Sequence, residues 1–247
     1  MPSSPSGRPD PFLLADRPIA HRGLHGAGRI ENSRAAFEAA IAAGHGIELD
    51  VQASRDWVPM VFHDATLDRL TGEGGALVEH EAEALSRIRL RGSADGIEPL
   101  SRILEMIGGR VPLLIEVKTT REGAARLAGA VASELASYSG AIGIMSFNPE
   151  VAAWLARNAP HLLRGLVVSE QGKQGWRGRI ERTVSLRRAR PDFLACDVRD
   201  LPSAFAAAFR ARGKPVLTWT VRSAADRSRA AVSADQIIHE LPELLHV

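Results

Sequence analysis

The chain has 247 residues, 45% of them hydrophobic, and its 31 Lys plus Arg nearly balance its 29 Asp plus Glu. A chain of this length and composition can bury a large core, as either one α/β barrel or two small domains. We favour one domain, because no linker interrupts the pattern. The sequence contains no basic run interleaved with aromatic residues, so it argues against nucleic-acid binding.

The N-terminal segment predicts a flexible tail over residues 1–16, because four prolines fall within the first eleven positions. The single domain is then expected over residues 17–247. The tail lacks the apolar core of a secretion signal, and no stretch approaches the ~18 to 20 apolar residues of a membrane span. The single cysteine, Cys196, permits a reducing compartment. We therefore expect a cytoplasmic protein, either a monomer or a homodimer.

The first strand–helix unit is predicted from residues 18 to 44. A short apolar run ends at His21, as a buried strand does where it emerges into a functional loop. After a glycine-rich segment, Asn32 or Ser33 can cap a helix that Gly44 ends.

The second strand, IELDV, carries two acids within an apolar run. Residues two apart in a strand face the same way, so Glu48 and Asp50 share one face. Two acids in such a place need a cation, because burying unpaired charge is costly. The apolar run VPMVF then leads to His63, and a short hairpin would return this imidazole toward the acids.

Six further strands follow, alternating with helices. The strands are expected at 111–118, 141–147, 163–169, 191–198, 215–221 and 234–240. The helices are expected at 78–88, 100–109, 121–138, 148–159, 177–189 and 201–213, with a last helical turn at the C-terminus. Near-continuous apolar strands between helices indicate a covered parallel sheet, and eight of them close a TIM (β/α)8 barrel. A doubly wound open sheet is the alternative.

The candidate residues lie where such barrels carry out chemistry, at the carboxyl ends of the strands. Glu116 and Lys118 share a face of the third barrel strand, by the period of two. Glu48, Asp50 and Glu116 then form an all-oxygen site for one hard divalent cation, Mg²⁺ or Ca²⁺. A metal flanked by Arg22 and Lys118 is a site for an anion, and phosphate is the anion that needs both.

Two histidines, His21 and His63, can serve as general base and general acid on either side of such a phosphate. Trp219, in the seventh barrel strand, can offer its indole face to a ligand or pack in the core. His239 ends the eighth barrel strand, and its position fits the pocket and the core equally well. His25 and His45 lie in loop or helix-surface contexts, and we expect no chemical role for them.

Taken together, the motifs resemble the glycerophosphodiester phosphodiesterases, which share a TIM-barrel fold with the phosphatidylinositol-specific phospholipases C. The resemblance rests on HRG at 21–23, EN at 31–32, IELDVQ at 47–52, VFHD at 61–64, L-x-R-x-T-G at 67–72, IEVK at 115–118, SFNPE at 146–150 and WTV at 219–221. It implies His21 and His63 as the acid/base pair, Glu48, Asp50 and Glu116 as metal ligands, Arg22 and Lys118 on the phosphate, and Trp219 on the substrate.

The chain departs from the family pattern at a few positions. Ile30 replaces the usual proline before the EN pair, and Trp57 replaces the usual glycine after the hairpin aspartate. Arg222 stands for the usual asparagine after WTV, and His239 with Glu240 for the usual Thr-Asp pair. The last three fall where the alcohol portion of the diester is expected to bind, so they bear on the preferred substrate and not on the reaction.

The resemblance implies a metal-dependent phosphoric diester hydrolase. Its small-molecule substrates would be glycerophosphodiesters, cleaved to glycerol 3-phosphate and an alcohol such as choline or ethanolamine. Two alternatives are a lipid-directed phospholipase of the same barrel and a catalytically dead barrel that binds phosphodiesters. The sequence leaves open whether water attacks directly or a cyclic phosphate forms first.

Overall fold

Eight parallel strands close into a barrel in the computed structural model, which describes residues 9–26 and 28–241. The strands are β1 (Ile19–Ala20), β2 (Gly46–Ala53), β3 (Pro59–Val61), β4 (Glu98–Pro99), β5 (Leu113–Val117), β6 (Ile142–Ser146), β7 (Leu163–Val168), β8 (Phe193–Asp197), β9 (Val216–Val221) and β10 (Gln236–His239). β1 pairs with both β10 and β2, which closes the ring, while β3 and β4 extend β2 as an antiparallel hairpin and edge. The predicted TIM barrel with a hairpin after its second strand is confirmed.

Helices cover the outside of the barrel. They are α1 (Arg34–Ala42), α2 (Ala82–Leu85), α3 (Leu100–Ile107), α4 (Ala124–Glu134), α5 (Pro149–Asn158), α6 (Trp176–Ala189), α7 (Ala204–Arg210) and α8 (Ala224–Ser233). Ser33 caps α1 by accepting the N–H of Ala36. α8 was not among the predicted helices, and the predicted C-terminal turn lies outside the described residues.

The helix predicted at 78–88 is wrong over most of its length. The segment forms a short 3-10 turn, Leu77–Glu79, and then the single turn of α2. The carbonyl of His80 accepts the N–H of Arg55, and the carboxylate of Asp56 accepts the N–H of Ala82. The start of the segment is therefore tied to the β2–β3 turn, which leaves room for one helical turn only.

The flexible tail predicted for residues 1–16 is wrong at its end. Pro11–Ala15 forms a 3-10 helix whose Leu14 is fully buried. The Leu14 side chain packs among apolar residues inside the barrel, and the Ala15 carbonyl accepts a hydrogen bond from Gln236 at the start of β10. This helix therefore covers the amino ends of the strands. The burial of Leu14 holds it there, although the segment is rich in proline.

The strands separate an inner from an outer environment by their period of two. On β2, Ile47, Leu49 and Val51 pack outward in the cluster formed with the helices, so Glu48 and Asp50 point inward, as predicted. The lower interior is apolar, and the large ring of Phe193 fits there because β6 and β7 carry glycines. A Cβ on Gly165 would lie 2.3 Å from that ring. Toward the carboxyl ends of β2 and β5, which we call the upper barrel, the interior instead contains buried acids.

In the part of the chain that the structure describes, no helix has the length and apolarity that crossing a bilayer requires.

Candidate active site

Three carboxylates meet inside the upper barrel. Asp50 on β2 and Glu116 on β5 are register partners, and Glu48 lies two residues before Asp50. One oxygen from each of the three lies within 4.8 Å of the others, and all three residues are buried. The structure therefore brings together the carboxylates that the sequence predicts as a metal site.

The trio carries more negative charge than its surroundings stabilise. Burial, and then the charges of Asp50 and Glu116, raise the pKa of Glu48 well above its usual value. Burial and Asp50 likewise raise the pKa of Glu116. Glu48 Oε1 and Asp50 Oδ1 are buried without a hydrogen-bond partner among the described residues. Buried carboxylate oxygens that accept no hydrogen bond are donors that suit a hard divalent cation.

Two cations flank the carboxylates on opposite sides. The Arg22 Nε lies 3.2 Å from Asp50 Oδ2, and its backbone N–H donates to Glu48 Oε2 at 3.0 Å. The Lys118 Nζ lies 3.1 Å from Glu116 Oε1 and 3.4 Å from Asp50 Oδ1. Although burial opposes both charges, the carboxylates raise the pKa of Arg22 and of Lys118. Both side chains are therefore charged at neutral pH and lie beside the acids.

A tight turn after β1 aims His21 and Arg22 at the site. Arg22 has a positive φ of 55°, and Gly23 follows with a φ of 79°. A Cβ on Gly23 would lie 2.8 Å from the backbone of Ala36 in α1, so only glycine permits this close approach. The HRG motif thus lets α1 pack against the loop that carries the histidine.

His21 is held by a carboxylate from the far end of the chain. Its Nδ1 lies 2.5 Å from Glu240 Oε1, and its Nε2 lies 3.9 Å from Glu48 Oε2. Burial lowers the pKa of His21, although the hydrogen bond to Glu240 opposes that shift. Arg222 in turn binds both oxygens of Glu240, at 2.6 and 3.0 Å. The Nε2 of a neutral His21 is therefore left free to accept a proton.

His63 follows β3 and has a carboxylate of its own. Its Nδ1 lies 2.7 Å from Asp64 Oδ1, and Arg69 binds both oxygens of that aspartate. Arg69 also binds Glu31, which pairs with Arg22 at 2.7 Å. Hydrogen bonds from Arg69 lower the pKa of Asp64 to about 2, and those from Arg69 and Arg22 lower the pKa of Glu31 to about 2 against the effect of burial. A continuous ion-pair network thus joins the two sides of the site.

Asn32 fixes the central carboxylate. Its side-chain N–H donates to Asp50 Oδ2 at 2.9 Å, and its side-chain oxygen accepts the Asp50 backbone N–H. Asn32 is buried with a positive φ of 55°, which brings its amide against β2. It therefore orients Asp50 and does not cap α1, the role that the sequence left open for it.

The site opens into a cavity of about 400 Å³ at the carboxyl ends of the strands. Both histidines, both cations, Glu48, Glu116 and Trp219 line it. The indole N–H of Trp219 donates to the Ala195 carbonyl at 2.9 Å, and its ring meets that of Phe147 edge to face, 5.6 Å between centroids. Trp219 is half-buried, so an aromatic surface forms one wall of the cavity.

Comparison with known proteins agrees with the predicted resemblance. The model of the glycerophosphoryl diester phosphodiesterase family matches residues 21–242. The chain belongs to this family. It is similar to a glycerophosphodiester phosphodiesterase of Caldanaerobacter subterraneus subsp. tengcongensis, with 35% identity over 109 residues, 41% of this chain and 44% of that protein. It is also similar to a putative glycerophosphodiester phosphodiesterase of Bacillus subtilis, with 34% identity over 107 residues, 40% of this chain and 44% of that protein. Both matches span less than half of the relative's length.

Solved structures of this family share the fold over nearly the whole chain. An Oleispira antarctica phosphodiesterase, solved with the product sn-glycerol-3-phosphate, has a TM-score of 0.82 at 21% identity and covers 95% of this chain and 97% of its own. A glycerophosphodiester phosphodiesterase from Thermotoga maritima has a TM-score of 0.72 at 23% identity and covers 90% and 93%.

Sequence reasoning missed several residues that hold the family site in place. The motifs that carried the resemblance contain three of them, Glu31, Asn32 and Arg69. The sequence therefore marked these positions, but it did not show what their side chains do. Glu240 was interpreted as a substrate-binding departure, whereas the structure places it on His21. Glu240 lies 219 residues from His21 along the chain, so no local sequence pattern can reveal their contact.

Three further histidines lie close to the site or to the strands that carry it. His239 is buried with its Nε2 3.3 Å from His45 Nδ1, the rings meeting edge to face, and it does not line the cavity. Of the two alternatives for His239, the structure therefore shows packing. His45 lies in the loop before β2, one of the two contexts expected for it, but its side chain is buried against His239. His25 lies near the site, its Nε2 3.7 Å from Glu240.

Proposed function

We propose that this chain hydrolyses glycerophosphodiesters to glycerol 3-phosphate and an alcohol such as choline or ethanolamine. The observation that carries the proposal is the cavity, which two cations, two carboxylate-bound histidines and two members of the buried three-carboxylate cluster line. The product bound to the Oleispira antarctica phosphodiesterase supports the same reaction, since that protein shares this fold.

One divalent cation, Mg²⁺ or Ca²⁺, would be held by Glu48, Asp50 and Glu116. The donor set fits, because the three acids are buried and close together, and two of their oxygens accept no hydrogen bond among the described residues. When bound, such a cation polarises a phosphoryl oxygen and stabilises the charge that develops on it. Arg22 and Lys118 would bind the phosphate from the two sides, because both are charged and each already lies beside the acids.

The two histidines would move protons. A carboxylate on Nδ1 fixes the tautomer of each imidazole and leaves Nε2 for chemistry. We assign His21 as the base that activates the nucleophile, because burial keeps it neutral. We assign His63 as the acid that protonates the departing alkoxide, because its imidazole is the more exposed of the two and bears the Asp64 carboxylate on Nδ1. Trp219 would contact the substrate with its ring.

Three further properties predicted from the sequence are part of this proposal. The enzyme would work as a monomer or homodimer in the cytoplasm. Residues 17–247 would form one domain, with Pro11–Ala15 packed against it.

A product assay on a substrate panel tests the function. The protein is stripped of metal with a chelator, Mg²⁺ or Ca²⁺ is returned, and deacylated glycerophosphodiesters with choline, ethanolamine, serine or glycerol are supplied beside diacyl phosphatidylglycerol. We expect glycerol 3-phosphate from the deacylated substrates and only with metal. Release of the alcohol as its phosphate ester, or activity on the diacyl lipid alone, would contradict the proposal. Binding without turnover would identify a catalytically dead barrel.

A further inference from the structure

An exposed apolar ridge runs along α6, on the side of this helix that faces away from the barrel. Trp176, Ile180 and Val184 follow one another at spacings of four residues, so they lie on one helical face. They are 67%, 54% and 59% exposed. Among the described residues only four other large hydrophobic side chains are exposed, and none of them lies on α6. The ridge is therefore a continuous surface and not a scatter of single side chains.

The buried face of α6 does not need this ridge. Gly178, Arg182 and Ala189 are the buried residues of the helix, and they lie on the opposite side. A helix that packs through one face and exposes an aromatic and two β-branched residues on the other gains no stability from the exposed ones. The ridge is thus available to contact something outside this chain.

Arginines flank the ridge on both sides. α6 and its C-cap contain six arginines and one acid, Glu181. Four of the six are exposed and have no acidic partner among the described residues: Arg177, Arg179, Arg187 and Arg190. By contrast Arg182 pairs with Glu170, and Arg188 pairs with Glu150. Glu181 is itself paired with Lys173, so the surface around the ridge is positive.

The first turns of α6 lie near the mouth of the catalytic cavity. Arg179 and Thr183 line a neighbouring cavity together with Arg199. Arg199 also lines the catalytic cavity. Whatever contacts the ridge therefore comes close to the opening through which substrate enters.

We propose that the α6 ridge docks on an anionic lipid bilayer surface. On a bilayer surface, exposed apolar residues of a helix enter the boundary between headgroups and acyl chains, and the three ridge residues are placed on one face to do so. The arginines meet the negative charge of the lipid headgroups, and Trp176 occupies the depth that tryptophan prefers. The charge complementarity favours this partner over a second copy of the chain, whose own arginines would repel across a symmetric contact.

Vesicle flotation tests the proposal with the full chain. The probes are vesicles of phosphatidylcholine alone and vesicles in which roughly one-third of the lipid is phosphatidylglycerol. The wild type should float with the anionic vesicles and not with the neutral ones, and salt should release it. Replacing Trp176, Ile180 and Val184 by serine should lower the partition at least ~10-fold. Arg177→Gln, Arg179→Gln and Arg187→Gln together should lower it on the order of 10²-fold, at about 5-fold for each charge.

A matched control lies on another helix. Val232 of α8 is 76% exposed, so Val232→Ser removes an exposed β-branched residue away from the ridge and should change nothing. Trp176→Phe should keep vesicle binding while removing the fluorescence shift that lipid induces in the wild type. Turnover of a soluble glycerophosphodiester should be unchanged in all these variants, which shows that they fold. Absence of binding to anionic vesicles, equal binding to neutral ones, or a concentration-dependent dimer that the serine variant abolishes would overturn the proposal.

Discussion

His21 and His63 both have a carboxylate on Nδ1, but the two pairs differ in burial. The side chain of His21 is 11% exposed, whereas that of His63 is 27% exposed. The buried imidazole resists protonation and suits a base. The more accessible one, beside an aspartate that Arg69 keeps ionised, suits an acid that must donate to a leaving group.

The leaving group separates these two roles. An alkoxide such as that of choline needs a proton to depart, whereas a nitrophenolate leaves unaided. The defect of His63→Ala, ~10² to 10⁴ on a natural diester, should therefore shrink greatly on a nitrophenyl phosphodiester. His21→Ala should stay equally defective on both substrates. Measuring kcat for both variants on both substrates decides the assignment, and rescue of His21→Ala instead would reverse the two roles.

Glu240 positions His21. In Glu240→Gln an amide would replace the carboxylate at 2.5 Å from Nδ1, so the imidazole would face a neutral acceptor or an amide N–H in place of a negative charge. We expect kcat to fall by roughly 10² or more, with KM and metal affinity unchanged. Glu240→Asp keeps the charge and should restore part of kcat. A full pH–rate profile supplies the readout, because the acidic limb, set by protonation of His21, should move in Glu240→Gln. An unmoved limb with normal kcat would show that Glu240 only fills space.

At the scale of elements, the eight barrel strands were predictable because each is a short, near-continuous apolar run between helices. Within β2, the period of two predicted that Glu48 and Asp50 share a face, which the closed barrel turns inward. The helix predicted at 78–88 failed because hydrogen bonds from the β2–β3 turn, 26 residues away in the case of Asp56 and Ala82, decide its backbone. The local sequence pattern predicts secondary structure correctly where an element packs along its whole length. It fails where a distant contact fixes the backbone of a short segment.

A buried imidazole pair links β10 to the loop before β2. Burial, and then the charge of His45, lower the pKa of His239 to about 4. An unfolded histidine titrates near 6.5, so below that pH the unfolded state binds the proton more readily than the folded state does. Stability should be fully present above pH ~6.5 and should fall as the pH drops towards ~4, by at most about 3 kcal/mol from this residue.

Urea unfolding between these pH values tests the pair. His239→Gln removes the titrating group and should flatten this part of the stability profile, although its stability at neutral pH is lower. His161→Gln changes an exposed histidine and should leave the profile as it is. An unchanged acid slope in His239→Gln would assign the loss to other groups.

At the scale of the molecule, the barrel divides into an apolar base and a charged mouth. Leu14 and Phe193 fill the base, while the acids and cations occupy the carboxyl ends of the strands. The division follows from the sequences of β2, β5 and β8, in which the early inward residues are apolar or glycine and the late ones are acidic. The 3-10 helix Pro11–Ala15 was not predictable, because the prolines around Leu14 suggest a tail and only the closed barrel provides a site for the leucine.

Leu14→Ala tests whether the 3-10 helix Pro11–Ala15 stabilises the whole barrel. Leu14 is fully buried, so its loss leaves a cavity and should lower the free energy of unfolding by about 2 to 5 kcal/mol. KM and kcat should stay the same, because Leu14 lies at the amino ends of the strands and the candidate active site lies at their carboxyl ends. Phe12→Ala is the control, since Phe12 is 45% exposed and should cost little. A Leu14→Ala protein as stable as the wild type would mean that the 3-10 helix does not close the barrel.

The central claim is that Glu48, Asp50 and Glu116 hold one divalent cation on which hydrolysis depends. The most direct measurement combines calorimetric titration of Mg²⁺ or Ca²⁺ with turnover, in the wild type, in Glu116→Gln and in the exposed control Glu122→Gln. The wild type and the control should bind one ion and release glycerol 3-phosphate. Glu116→Gln keeps the shape but removes one charge, so it should bind metal at least about 10²-fold more weakly and lose turnover while keeping its fold. Wild-type metal affinity and wild-type hydrolysis in Glu116→Gln would contradict the account.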